Sequence, residues 1–61
     1  MALATLRKKA GLTQADVAKE LGITDSAVNQ WEKKKTFPKT EVLPKLAKLY
    51  SCTVDELLKE E

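Results

Sequence analysis

The chain has 61 residues, 43% hydrophobic and 33% charged, with a single Trp, Tyr and Phe, a single cysteine and no histidine. That is one small soluble domain spanning 1–61, near the lower limit at which a chain folds alone. Without histidine, a Ser–His or Cys–His nucleophile pair is excluded and a zinc site has no plausible ligand set, so neither an enzyme nor a metal or other cofactor is expected.

No apolar run approaches the length a membrane span requires, and MALATLRKKAG lacks the apolar stretch of a secretion signal. The expected location is the cytoplasm, with no membrane partner. Cys52 cannot form an internal disulfide and reads as a small semi-buried residue of a reducing compartment. The net charge of +2 is uneven: residues 1–50 hold ten Lys/Arg against five Asp/Glu, and residues 51–61 hold one against four. The larger, basic part suits a polyanion.

Five short helices follow from periodicity and punctuation, and nothing alternates with period two, so the fold class is all-α. The first helix runs from about Ala2 to Lys9, with Leu3 and Leu6 on one side, and stops at Gly11. Thr13 is placed to cap the second, with Asp16 three residues on; Val17, Ala18 and Leu21 form its apolar face, and Gly22 ends it. Thr24 caps the third, whose Val28 and Trp31 point inward. Lys33–Lys39 is a loop. Thr40 is expected to cap a fourth helix with Leu43, Leu46, Ala47, Leu49 and Tyr50 inside and Pro44 in its first turn, where a missing N–H costs least. Thr53-Val54-Asp55-Glu56 is a capping box opening the fifth helix, with Val54, Leu57 and Leu58.

The informative unit is residues 13–32. Two capped helices are separated only by Gly22, Ile23 and Thr24, a connection that forces a steep crossing. Gly22 supplies the left-handed backbone, Ile23 plugs the turn, and Ala18 permits close approach. These are the properties of a helix-turn-helix whose second helix protrudes enough to enter a DNA groove about 12 Å wide.

Over nearly its whole length the chain resembles the Cro/phage-repressor-type (Xre-like) family of five-helix, lambda-repressor-like DNA-binding domains. The matching stretches are Leu6-Arg7-Lys8-Lys9-Ala10-Gly11-Leu12-Thr13-Gln14, Val17-Ala18-Lys19-Glu20-Leu21-Gly22-Ile23-Thr24, Val28-Asn29-Gln30-Trp31-Glu32, Leu43-Pro44-Lys45-Leu46-Ala47 and Thr53-Val54-Asp55-Glu56-Leu57-Leu58.

The resemblance implies a sequence-specific regulator of transcription from a bacterium or phage, binding double-stranded DNA as a homodimer on a two-fold operator. Its recognition helix would be about 25–33. Asp25, Ser26 and Gln30 fall where that helix meets base edges, with Asn29 beside them; Gln30 and Asn29 suit the N6/N7 edge of adenine.

Thr13 and Gln14, at the start of the second helix, fall where a phosphate is held, and the Gln14 amide would brace the start of the recognition helix. Lys33, Lys35, Lys39 and Thr40 would approach the backbone, which positions the domain without reading sequence. Arg7 and Glu32 match a partly buried ion pair between the first helix and the end of the third. Val54 and Leu57 lie where the family's two-fold contact often forms. Two positions depart from the family pattern: Asp25 stands where Gln is frequent, and Lys34 replaces a common glycine. Asp25 favours an alternative, a protein-interaction module of the same fold such as a toxin-pair antitoxin or an adaptor.

Overall fold

A computed structural model describes residues 1–60, and in these five α-helices and one short 3-10 turn follow in order. They are α1 Leu3–Lys9, α2 Gln14–Leu21, α3 Asp25–Glu32, the 3-10 turn Thr40–Val42, α4 Leu43–Leu49 and α5 Val54–Leu58. No strand occurs among the described residues, and no helix there is long and apolar enough to cross a membrane.

Three helices begin on a threonine. Thr13 Oγ1 accepts from the Asp16 N–H at 3.0 Å while Thr13 N–H donates to Asp16 Oδ2 at 2.9 Å, a complete capping box. Thr53 and Glu56 repeat it at α5, and Thr24 Oγ1 accepts from the Ala27 N–H at α3. The expected fourth cap is absent. Thr40 is the first residue of the 3-10 turn and makes no side-chain cap, and α4 starts instead at Leu43-Pro44, uncapped by any side chain. The proline needs no N–H partner at that position, so the turn delivers the chain into α4 without a threonine.

The helix ends share a second device. In α1 to α4 the closing residue is left-handed, its N–H reaches back three residues and the next N–H reaches back five. The longer bonds are Leu12 to Arg7, Ile23 to Ala18, Lys35 to Gln30 and Cys52 to Ala47, at 3.2, 2.9, 3.0 and 2.8 Å. This is the Schellman arrangement, which satisfies carbonyls that the helix leaves open. The left-handed residues are Gly11 (φ 74°), Gly22 (φ 69°), Lys34 (φ 62°) and Ser51 (φ 54°).

The core gathers one or two residues from every helix: Leu3, Val17, Ala18, Val28, Leu46, Ala47, Tyr50 and Leu57. Leu46, Leu57, Val17 and Val28 are wholly enclosed, each stabilising the fold by about 1.5–3 kcal/mol relative to exposure. Two sequence expectations change here. Leu57 is 0% exposed and belongs to the core, so it is withdrawn as a dimer contact; Leu58, 49% exposed, takes the outer face of α5 with the half-buried Val54 four residues before it. Trp31 is only half-buried, leaning on the core from outside rather than filling it.

Candidate nucleic-acid interface

The face of α3 that points to solvent is set by what holds the opposite side. Val28 is buried at its middle, and Trp31 rests against the core one turn on. Asp25, Ser26 and Gln30 are thereby left exposed, with Asn29 half-buried between the outer face and α2. Ser26, Asn29 and Gln30 fall at i, i+3 and i+4 and form one surface stripe.

Behind the stripe, the Glu32 carboxylate is a hub for three elements. Its Oε2 accepts from Arg7 Nε at 2.6 Å, and its Oε1 accepts from Arg7 Nη2 at 3.2 Å and from Gln14 Nε2 at 3.0 Å. Arg7 Nη1 donates to the Leu12 carbonyl at 2.9 Å, which ties the loop before α2 into the same cluster. The side chains of Arg7 and Glu32 are 12% and 7% exposed. At that burial, either charge alone would be costly. The hydrogen bond to Glu32 is the main cause that raises the Arg7 pKa above its ordinary value, opposed by burial. Tyr50 packs into the core next to this pair; its phenol is pushed up to about 12, first by burial and then by the negative charge of Glu32.

Gln14 performs a bracing role, but lower on α3 than the sequence suggests. Its Nε2 also donates to Asn29 Oδ1 at 3.3 Å, so it grips the middle and end of α3 and not the start. The reason is geometric: α2 crosses α3 with its N-terminus beside the C-terminal half of α3. One lone pair of Asn29 Oδ1 is therefore engaged, and Nδ2 is its group left to offer outward. Thr13 is constrained in the same way, since its Oγ1 already accepts the Asp16 N–H and only its proton remains to donate. The Asp16 carboxyl is held below its usual range by the Thr13 backbone and side-chain hydrogen bonds.

Lys33, Lys35, Lys39 and Thr40 are all exposed, Lys33 and Lys35 at the stop of α3 and Lys39 and Thr40 at the entry to the 3-10 turn. Lys34, between the first two, is turned elsewhere: its Nζ pairs with Glu60 Oε2 at 3.4 Å, and Glu60 also holds the N-terminal amine at 3.3 Å. Burial pushes the Cys52 thiol up, with the Glu56 charge adding to it, which suits a structural cysteine and not a reactive one. Among the described residues no group of His, Cys, Asp and Glu is arranged to hold a metal ion.

The sequence reading missed two features: the Gln14–Asn29 bond, which depends on the helix crossing, and Phe37, which is 65% exposed beside Trp31 in a shared hollow. The signal for Phe37 was present as an aromatic residue inside an otherwise polar, lysine-rich loop.

Residues 3–57 match the family model described as Helix-turn-helix. The chain is 39% identical over 59 residues to the HTH-type transcriptional activator BcrR of Enterococcus faecalis, covering 97% of this chain and 29% of that protein. It is 42% identical over 53 residues to Repressor protein C2 of Salmonella phage P22, covering 87% and 24%, and 38% identical over 52 residues to the HTH-type transcriptional regulator ImmR of Bacillus subtilis (strain 168), covering 85% and 41%. The chain thus spans less than half the length of each of these relatives. No solved structure gives a significant match. A helix-turn-helix braced at Glu32, matched by a family model over almost its full length and by three regulators, establishes that the chain belongs to the helix-turn-helix family of the Cro/phage-repressor type.

Proposed function

We propose that this domain is the double-stranded DNA-binding part of a sequence-specific transcriptional regulator, with α3 and the residue after it, 25–33, entering the major groove. The observation that carries the reading is the division of α3 into two faces. One is locked to α1 and α2 through Glu32, and the other presents the exposed polar groups of Asp25, Ser26 and Gln30. A rigid helix with a free polar face is what base reading needs, because a mobile reader would lose the discrimination its contacts provide.

Gln30 is assigned to a base edge, with the donor face of Asn29 and the hydroxyl of Ser26 beside it. The start of α2 at Thr13 and Gln14, and Lys33, Lys35, Lys39 and Thr40, are assigned to phosphates. A homodimer on a two-fold operator is proposed through the outer face of α5, where Val54 and the exposed Leu58 lie on one side. A protein-interaction role, as in an antitoxin or adaptor, is favoured by one observation, the exposed carboxylate of Asp25 in the first turn of α3, which repels phosphates and suits only a cytosine amine among bases.

Fluorescence anisotropy with random-pool duplex DNA at several salt concentrations separates the two. The regulator reading expects log K to fall against log salt with a slope of magnitude about 4–8. Gln30→Ala is expected to cost about 1–3 kcal/mol at one base position, and Lys39→Ala to weaken all sequences alike. No binding at low salt overturns the reading. Sedimentation with and without DNA tests the dimer, and a strict monomer in both removes the two-fold model.

A further inference from the structure

Phe37 is the most exposed large apolar side chain among the described residues. It follows the stop of α3 and precedes Pro38, which is buried. The proline restricts the residue before it to extended backbone. The buried Pro38 thus anchors the backbone beside Phe37, whose side chain is 65% exposed.

Facing it is Trp31. The two line an open hollow of about 380 Å³ together with Leu21, Ile23, Thr36, Lys39, Val42 and Lys45. A second hollow shares Leu21 and Lys45 and continues past Lys48, with Glu20 its single acid. The two make one strip lined mostly by apolar side chains and by Lys39, Lys45 and Lys48. Lining residues of α3 other than Trp31 are absent from it. Trp31 sits ~100° around the helix from Gln30 and ~140° from Ser26, so the strip faces away from the proposed base-reading stripe.

We propose that this strip docks an acid-flanked apolar segment of a partner protein, with one or two Leu- or Phe-like anchors seated between Trp31 and Phe37 and Asp or Glu side chains meeting Lys45 and Lys48. The hollow accommodates a few side chains. The strip sets apolar side chains beside Lys45 and Lys48, with Glu20 its single acid, which matches an amphipathic acidic segment. The chain's own acidic end is a poorer occupant, since the Glu60 carboxylate is already engaged by Lys34 and the N-terminal amine. Lys45 and Lys48 have no part in the proposed DNA contacts.

Trp31 is the chain's single tryptophan, so its emission reports the strip directly. The probe is a synthetic amphipathic helical peptide with Leu and Phe anchors flanked by Glu, compared with the same peptide carrying Lys in place of Glu. The expected result is a saturable blue shift of Trp31 emission with the acidic peptide. That response should be weakened about tenfold or more by Lys45→Glu, by Phe37→Ser and by the lysine peptide. Both substituted residues are exposed, and far-UV circular dichroism and melting of each variant confirm the fold. A Trp31 response equal for both peptides, or absent at millimolar peptide, overturns the proposal. So does a blue shift that appears with protein concentration alone and assigns the strip to a second copy, or one produced by duplex DNA instead of peptide. Retained DNA binding in Lys45→Glu, alongside the lost peptide response, separates this strip from the nucleic-acid interface.

Discussion

The helix-turn-helix and the segment that follows it end their helices with the same hydrogen bonds but with different residues. Before residue 33, α1 and α2 close on Gly11 and Gly22; after it, α3 and α4 close on Lys34 and Ser51, both left-handed without being glycine. The starts do not follow this division, for Thr13, Thr24 and Thr53 cap α2, α3 and α5 while α1 and α4 open without a side-chain cap. A left-handed L-residue costs roughly 1–2 kcal/mol. In the first region the chain avoids that cost with local chemistry. In the second it accepts the cost, and the surrounding packing holds the conformation: α3 is locked at Glu32, two residues before Lys34, and Ser51 follows the buried Tyr50.

The largest expected effect breaks the locked side of the comparison. Arg7→Ala leaves the Glu32 carboxylate nearly buried with only Gln14 as a partner, and should cost about 3 kcal/mol, a large share of the roughly 3–5 kcal/mol that a core of this size supplies. Urea denaturation measures it. Replacing both charges together, as Arg7→Met with Glu32→Leu, should cost less than Arg7→Ala alone, because no unpaired charge remains. A double variant weaker than the single would mean that the pair itself, and not its desolvation, carries the stability.

Next in size is Gly22→Ala. An added Cβ meets nothing within 4 Å there, so the cost is backbone strain alone, offset in part by a less flexible unfolded chain, for a net loss of about 1 kcal/mol. Lys34→Gly should run the other way. It relieves strain of the same size but restores freedom to the unfolded state, giving a net gain of about 0.5 kcal/mol. Thermal melting of the two variants should therefore shift in opposite directions. Equal signs would show that the exposed Lys34–Glu60 pair contributes more than its surface position allows.

The smallest effect is absent at neutral pH. The Tyr50 phenol ordinarily loses its proton near 10 and in the folded state holds it to about 12. Above 10 the unfolded chain releases a proton that the native protein keeps, so stability declines as pH rises through that window. Tyr50→Phe should lack this part of the alkaline decline, read as the urea midpoint at successive pH values. An unchanged slope would mean that Tyr50 ionises in the native state as readily as in solution.

Much of the fold was legible because its signals are local. Thr13 with Asp16, Gly22, Thr24 and Thr53 with Glu56 each act within a few residues, so the boundaries of α2, α3 and α5 follow from the chain itself. Thr40 looked like the same signal and is not one, since Pro44 allows α4 to begin without a cap. Leu57 and Leu58 are neighbours with equal hydropathy, and only the approach of the other helices decides which is enclosed. The Arg7–Glu32 pairing was accessible through family resemblance. Gln14 gripping Asn29 was not, because that contact depends on where along α3 the second helix crosses.

By itself, then, the sequence determined the all-α class, three of the five helix starts, the left-handed stop at Gly22 and the polar outer face of α3, all of them consequences of hydrogen bonds and periodicities that span at most two turns. The tertiary structure decided that Glu32 gathers Arg7 and Gln14, that Leu58 and not Leu57 reaches solvent, that Lys34 takes a backbone suited to glycine, and that Trp31 and Phe37 stand open over a lysine-edged strip. Those outcomes depend on residues far apart in the chain, where burial of an apolar face or a charge is settled only when the helices meet.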